Sequence, residues 1–251
     1  MFQAKIYIYQ YMQDKTRKYL LSSESMSSKF ILYRTFSFLI AFIYFFSLHG
    51  QTSKGKEFWF GFMENYQQTA TLEVHICAES AASGTISMPA IGWSQNFNVS
   101  SNSTTSIVIP ATQAMAIGVG IQQMGISLIS DANITVYAIN YKNASADATI
   151  VLPKKDLGYE YYVSTYKPEG LFATAPAEFI IVATEDNTVI NITPSSTIDS
   201  GPTSGIKLPG ITYSITLNKG EVYQGQSADD LTGTHIEVND GAQNCKAISV
   251  F

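Results

Sequence analysis

The chain has 251 residues, a net charge of −5 and 14% charged residues, which is enough for one large or two small domains. Six of the 15 basic residues and two of the 20 acidic ones fall in the first fifty positions. Residues 51–251 therefore carry nine lysines against eighteen carboxylates, a net −9, and no arginine. A body of that sign repels polyanions and lacks the side chain best suited to bidentate phosphate and base contacts, which sets nucleic acid aside as a partner.

The first recognisable element is the apolar run at residues 36–48. Thirteen residues fall short of the twenty or so that span a bilayer and match the core of a signal peptide. Lys29 and Arg34 precede the run, and Gly50 puts a small residue before Gln51, so cleavage is predicted between Gly50 and Gln51. An uncleaved membrane anchor is the alternative. Residues 1–25, with Tyr7, Tyr9, Tyr11 and Asp14, fit a leader badly, whereas a start at Met26 gives an ordinary one. The expected organisation is thus a leader at 1–50, initiated at Met26 with a signal peptide at 26–50. The protein would be secreted or held at the cell surface and meet the membrane only through this leader. Two cysteines, Cys77 and Cys245, are too few for a disulfide scaffold; one bridge between them and two unpaired thiols are both open.

Beyond the leader, period-two alternation dominates and helical periodicity is scarce. Leu72, Val74 and Ile76 alternate with Glu73, His75 and Cys77; Phe97 and Val99 with Asn96 and Asn98; Tyr213, Ile215 and Leu217 with Ser214 and Thr216. Turn signals are read at Ser83-Gly84, Ser101-Asn102, Asp131-Ala132-Asn133, Glu185-Asp186-Asn187, Asn218-Lys219-Gly220 and Asn239-Asp240-Gly241. Short strands between turns every eight to twelve residues predict β-sandwiches.

The body also repeats itself. Gly55-Lys56-Glu57-Phe58-Trp59 matches Gly158-Tyr159-Glu160-Tyr161-Tyr162. Ile76-Cys77-Ala78-Glu79 matches Val182-Ala183-Thr184-Glu185, Ile86-Ser87-Met88 matches Ile190-Asn191-Ile192, and the stretch from Gly92 to Val99 matches that from Gly210 to Leu217. A repeat of this length is domain-sized. The predicted fold is all-β: two tandem β-sandwich modules of jelly-roll or Ig-like type, at 51–152 and 158–251, joined by a connector at 153–157. The chain closes on an apolar strand at Phe251, so the second module is expected to be truncated and the chain a fragment of a longer protein. Residues 194–209, rich in Gly, Ser and Pro, read as a long exposed loop inserted in the second copy.

The residues 57–66, Asp131 with residues 134–140, residues 157–163 and residues 178–183 resemble the N-terminal domain of the IgGFc-binding protein family. The likeness extends over nearly all of 51–251. It implies an exported protein, and this chain, lacking cysteine-rich repeats, resembles the bacterial members more than the animal one. The family name attaches immunoglobulin Fc, but the resemblance carries no Fc-binding motif onto residues of this sequence.

Chemistry gives little to set against this. His75 lies on the polar face of a strand, and neither it nor His235 belongs to a metal-binding spacing. There is no Gly-x-Ser-x-Gly elbow and no phosphate loop. Glu79 and Glu185 occupy matching hairpin ends in different copies, poorly placed to flank one glycosidic bond. Asp229, Asp230 and Asp240 lack the spacing of a calcium loop. No cofactor is expected. The aromatic residues Phe58, Trp59, Phe60 and Phe62, with Tyr159, Tyr161, Tyr162 and Tyr166, are dense for two strands. Most should fill cores, while a few could form a sugar- or protein-binding face with loop 194–209 beside it. The function expected is a non-enzymatic exported binding or adhesion module that presents loops to a mucin-like glycoprotein, an immunoglobulin or another protein. A structural spacer of a large surface protein is the alternative, and a secreted carbohydrate-active hydrolase a third reading.

Overall fold

Alternation along each strand becomes layering in a computed structural model, which describes residues 52–65, 68–143, 145–167, 175–202, 205–239 and 246–251. The expected leader, with Gly50 and Gln51, lies outside these residues, and so do Cys245 and the Asp240-Gly241 turn. Among the described residues no helix is long and apolar enough to cross a membrane. The strands are β1 (Gly55–Phe60), β2 (Thr71–Ala78), β3 (Ala82–Met88), β4 (Trp93–Val99), β5 (Ser103–Ile109), β6 (Gly120–Gln122), β7 (Ile126–Lys142) and β8 (Ser145–Val151) in the first half. The second half adds β9 (Glu160–Tyr162), β10 (Ala177–Ala183), β11 (Thr188–Thr193), β12 (Tyr213–Leu217), β13 (Val222–Ser227), β14 (His235–Val238) and β15 (Ile248–Val250). All the sheets are antiparallel, as the class predicted from the alternation requires.

The first half is built on β7. Its N-terminal part lies between β1 and β3, with β4 beyond β3; its C-terminal part lies between β2 and β8, with β5 beyond β2. Phe58, Phe60, Leu72, Val74, Ile76, Ile86, Leu128 and Val136 fill the core of this half. The turn predicted at Asp131-Ala132-Asn133 is not one: these residues lie inside β7. Their polar, turn-prone character serves a bulge instead. Gly55 stands opposite Ile134 and Glu57 opposite Ile129, so β7 spends five residues where β1 spends two. A bulge of this kind bends the strand, as a strand serving two sheets must. Asp131 secures it, accepting from Ser83 N through Oδ1 and from Lys56 Nζ through its carbonyl. The turn predicted at Ser83-Gly84 is likewise replaced by strand β3. Gly84 stands opposite Phe97, whose ring lies over the space a Cβ would fill. The turn signals at Asn102 and Asn187 are met by positive φ at both residues, and that at Gly220 by φ of 81°.

The second half is a pair of four-stranded sheets. One runs β12-β11-β14-β9; the other runs β15-β10-β13-β6. Phe179, Ile181, Ile190, Ile192, Leu217, Tyr223 and Ile236 pack between them. Neighbour relations in the two halves run in parallel: β1-β7-β3-β4 is followed by β9-β14-β11-β12, and β7-β2-β5 by β15-β10-β13.

Two features tie the halves together. Strand β6 belongs to the first half in sequence but extends the edge of β13, with Gln122 opposite Val222. Trp59 and Ala116 form a third apolar cluster with Ile180, Val182 and Val222, on the face of β10 and β13 turned away from their own sandwich. Buried on both faces, β13 loses the polar alternation of a half-exposed strand, and all six of its residues are buried. Gly61 permits the approach, because a Cβ there would come 3.0 Å from Ile180 Cδ1. Residues 153–157, the expected connector, contain a helical turn, and Pro153 packs on Gly55.

Candidate functional site

The two openings that match in sequence have opposite fates. In β1, Phe58 and Phe60 face the core, and Trp59, on the other face, is 1% exposed because the second half covers it. In β9, Tyr161 turns inward and hydrogen-bonds through its hydroxyl to Ile248 O, and burial pushes its pKa up. Tyr162, the counterpart of Trp59, is 69% exposed, and Tyr159 and Tyr166 are exposed as well. The same local pattern thus gives core in one half and display in the other.

Tyr162 belongs to an ordered polar face. Its register partner in β14 is His235, the two rings stack with centroids 4.7 Å apart, and His235 Nε2 lies 2.8 Å from Glu160 Oε1. The row continues across the sheet to Thr193 and from there to Thr212, their hydroxyls 2.7 Å apart. A second row runs Glu160, Glu237, Asn191, Ser214, in which Asn191 Nδ2 donates to Glu237 and Ser214 Oγ donates to Asn191.

The first row ends one residue from Ile211, at the base of the loop between β11 and β12. Read from sequence as exposed, this loop proves to be exposed and also anchored. Ile198 is fully buried and forms a two-bond bridge with Lys207, Asp199 N donates to Gln226 O, and Gly210 N to Pro194 O. Ser195 N and Ser196 Oγ bond to Thr234 and Asp230 respectively. Upon this base Ile206, Leu208 and Ile211 stand 61, 59 and 62% exposed, while Lys207 lies over the Tyr213 ring at 5.0 Å. Three large aliphatic side chains held out by an anchored backbone are what a protein-contacting loop needs, since little ordering is left to do on binding. The aromatic face and the loop that the sequence suggested side by side are joined here through Thr193 and Thr212.

The remaining candidates disperse. Cys77 is half-buried with Sγ 3.2 Å from Thr104 Oγ1. His75 is bound to Glu73 at 2.9 Å on the outer face of β2. Glu79 pairs with Lys54 and Glu185 with Lys154. The two glutamates line separate open grooves, of about 420 and 590 Å³. Asp229 pairs with Lys167, and Asp230 accepts from Thr232 N, then from Thr165 Oγ1 and Thr232 Oγ1, which hold its pKa down.

One polar cluster had no clear signal in the sequence. At the junction of the halves, Gln224 accepts from Glu64 N and donates to Gly118 O, while Gln226 donates to the carboxylates of Glu64 and Glu178. Burial, with Glu64 and Asp147 adding to it, raises the Glu178 pKa to about 8, against the hydrogen bond from Gln226. Two glutamines spaced by two in a strand with no free face were the trace that could have marked it.

Residues 147–251 match the family described as IgGFc binding protein. Sheet β12-β11-β14-β9 and its loop fall wholly within that stretch. The chain is also similar to the human IgGFc-binding protein, with 31% identity over 187 residues, covering 72% of this chain and 3% of that protein. It thus spans a small fraction of the relative's length. No solved structure matches.

Proposed function

We propose that the chain is a non-enzymatic, exported binding module that engages a protein or glycoprotein through the loop between β11 and β12 and the adjoining Tyr162 face. The observation that carries this reading is the anchored loop with Ile206, Leu208 and Ile211 exposed together. The relative's name and the family's name both point to immunoglobulin Fc, which makes Fc the first partner to try, followed by a mucin. A reading of the halves as two copies of one sandwich belongs to the same proposal.

The test is capture of purified human Fc fragment and of purified mucin by the full chain on a sensor surface. Changing Ile206, Leu208 and Ile211 together to serine should cost about tenfold or more in affinity for whichever is bound, because buried apolar anchors dominate such contacts. Unaltered affinity in a folded triple variant would sink the loop as the contact. A second reading, a structural spacer, draws support from the third apolar cluster, which packs residues of the two halves against one another. Failure of both probes to bind would favour it.

A further inference from the structure

The face around Tyr162 also has an internal precedent for what covers it. In β1, Glu57 and Trp59 stand side by side on the outer face, and Trp59 Nε1 donates to Glu57 Oε1 at 2.9 Å. Two lysines from beyond the first half meet this carboxylate–aromatic pair. Lys154 Nζ lies 3.8 Å from Glu57 Oε1, and Lys219 Nζ stands over the Trp59 ring at 5.2 Å. In β9 the matching pair is Glu160 and Tyr162 on the outer face, and here both are open to solvent. Glu237 stands directly opposite Glu160 in the ladder, so two carboxylates share one end of the platform, an arrangement that costs stability unless a cation joins them. His235 occupies one side of the Tyr162 ring and Glu160 at once, which fixes the ring and leaves its remaining surface exposed.

We propose that the Glu160–Tyr162–Glu237 face is a cation-accepting anchor point that takes a lysine or arginine side chain of a protein partner. The partner's charge would lie over Tyr162 and against the two carboxylates, as Lys219 and Lys154 engage Trp59 and Glu57 within this chain. The residues from 51 onward, with nine lysines against eighteen acids, complement a basic partner and steer its approach. The proposal rests on the protein-binding reading above and names the chemistry of part of that site. Its peptide-binding arm nevertheless needs neither Fc nor mucin.

The experiment uses the full chain over sensors bearing a Gly-spaced tri-lysine peptide, the tri-arginine equivalent, and the tri-lysine peptide acetylated on every side chain. Both basic peptides should bind, the acetylated one should not, and Glu160→Gln and Tyr162→Ser should each weaken binding at least fivefold. Glu73→Gln removes a carboxylate that also neighbours a histidine, in the first half, and should change nothing. Equal loss in Glu73→Gln would reduce the effect to diffuse charge and overturn the site. Binding of the acetylated peptide, or of chitotriose at Tyr162 with the basic peptides silent, would overturn it in favour of a neutral or glycan ligand. Fc or mucin capture that survives Glu160→Gln would sink the anchor alone, whereas peptide binding that survives the loop triple variant while capture is lost would leave both readings standing.

Discussion

Gln226 holds Glu64 and Glu178 on a single amide nitrogen: Nε2 donates to Glu64 Oε2 at 3.2 Å and to Glu178 Oε2 at 2.9 Å. The three residues come from the β1–β2 connection, β10 and β13, so this contact spans the joint between the halves. Gly118 N also donates to Glu64 Oε2, at 2.7 Å. With Glu64 thus supplied with donors and Glu178 buried beside it, the protonated form of Glu178 is the favoured one, and its pKa stands at about 8 against an ordinary value of 4.5.

The first prediction follows from that sign. Between pH 4.5 and 8 the native chain holds a proton on Glu178 that the unfolded chain has released. Stability from this group is therefore greatest below 4.5, falls as pH rises through that window, and falls no further above 8. The slope approaches about 1.4 kcal/mol per pH unit at most. Denaturant unfolding from pH 5 to 8.5 should show the decline, and Glu178→Gln should flatten it. Equal slopes in the two proteins would remove Glu178 as the cause.

Gly225 stands opposite Phe179 in the ladder, and a Cβ there would meet the buried ring at 2.5 Å from Cζ. Gly225→Ala should cost about 1–3 kcal/mol by overpacking. Adding Phe179→Leu should recover part of the loss, so that the double variant is more stable than the two separate costs imply. Gly84 and Phe97 make the similar pair in β3 and β4, but there a Cβ also meets the carbonyl oxygen of Ile129 at 2.1 Å. Trimming Phe97 should consequently not rescue Gly84→Ala. Thermal or denaturant midpoints for the two pairs test the contrast.

Tyr213 and Tyr223 share a hydrogen bond of 2.9 Å between hydroxyls within the second sandwich, and burial raises both pKa values. Tyr213→Phe leaves the Tyr223 hydroxyl buried without this partner and should cost about 1–3 kcal/mol. Changing both to Phe removes donor and acceptor together and should cost less than the single change. A double variant no more stable than Tyr213→Phe alone would contradict this account.

Strand content was legible because alternation reports one-sided burial directly: Leu72, Val74 and Ile76 turn inward as read, with Glu73 and His75 outward. Asp131–Asn133 misled because a bulge and a turn draw on the same polar residues, and only the cross-strand register tells them apart. Trp59 and Tyr162 occupy matching places in the same local pattern, so no local reading could assign one to a core and the other to solvent. That difference depends on Ile180, Val182 and Val222, more than a hundred residues away from Trp59. The loop at 194–209 was visible as a loop from its Gly, Ser and Pro content. Its anchoring was not, because Ile198 looks like any aliphatic residue until its burial is known.

That anchor gives the last prediction. Ile198 is fully buried, while Ile206, Leu208 and Ile211 are exposed on the same loop. Lys207 N donates to Ile198 O at 3.1 Å and Gly210 N to Pro194 O at 2.8 Å, so these two amides report the loop's closure. Ile198→Ala empties a packed site, which costs about 2–5 kcal/mol when an Ile loses its core contacts. The first consequence should be local opening, with faster hydrogen exchange at Lys207 and Gly210 than in the parent chain. Ile206→Ser alters only exposed surface and should leave both amides protected and stability within about 0.5 kcal/mol. Both variants should lose affinity for the captured partner, the first because the loop must be ordered on binding and the second because a contact is gone. If Ile198→Ala leaves exchange and capture untouched, the loop does not depend on its anchor, and the ordered display of Ile206, Leu208 and Ile211 must have another source.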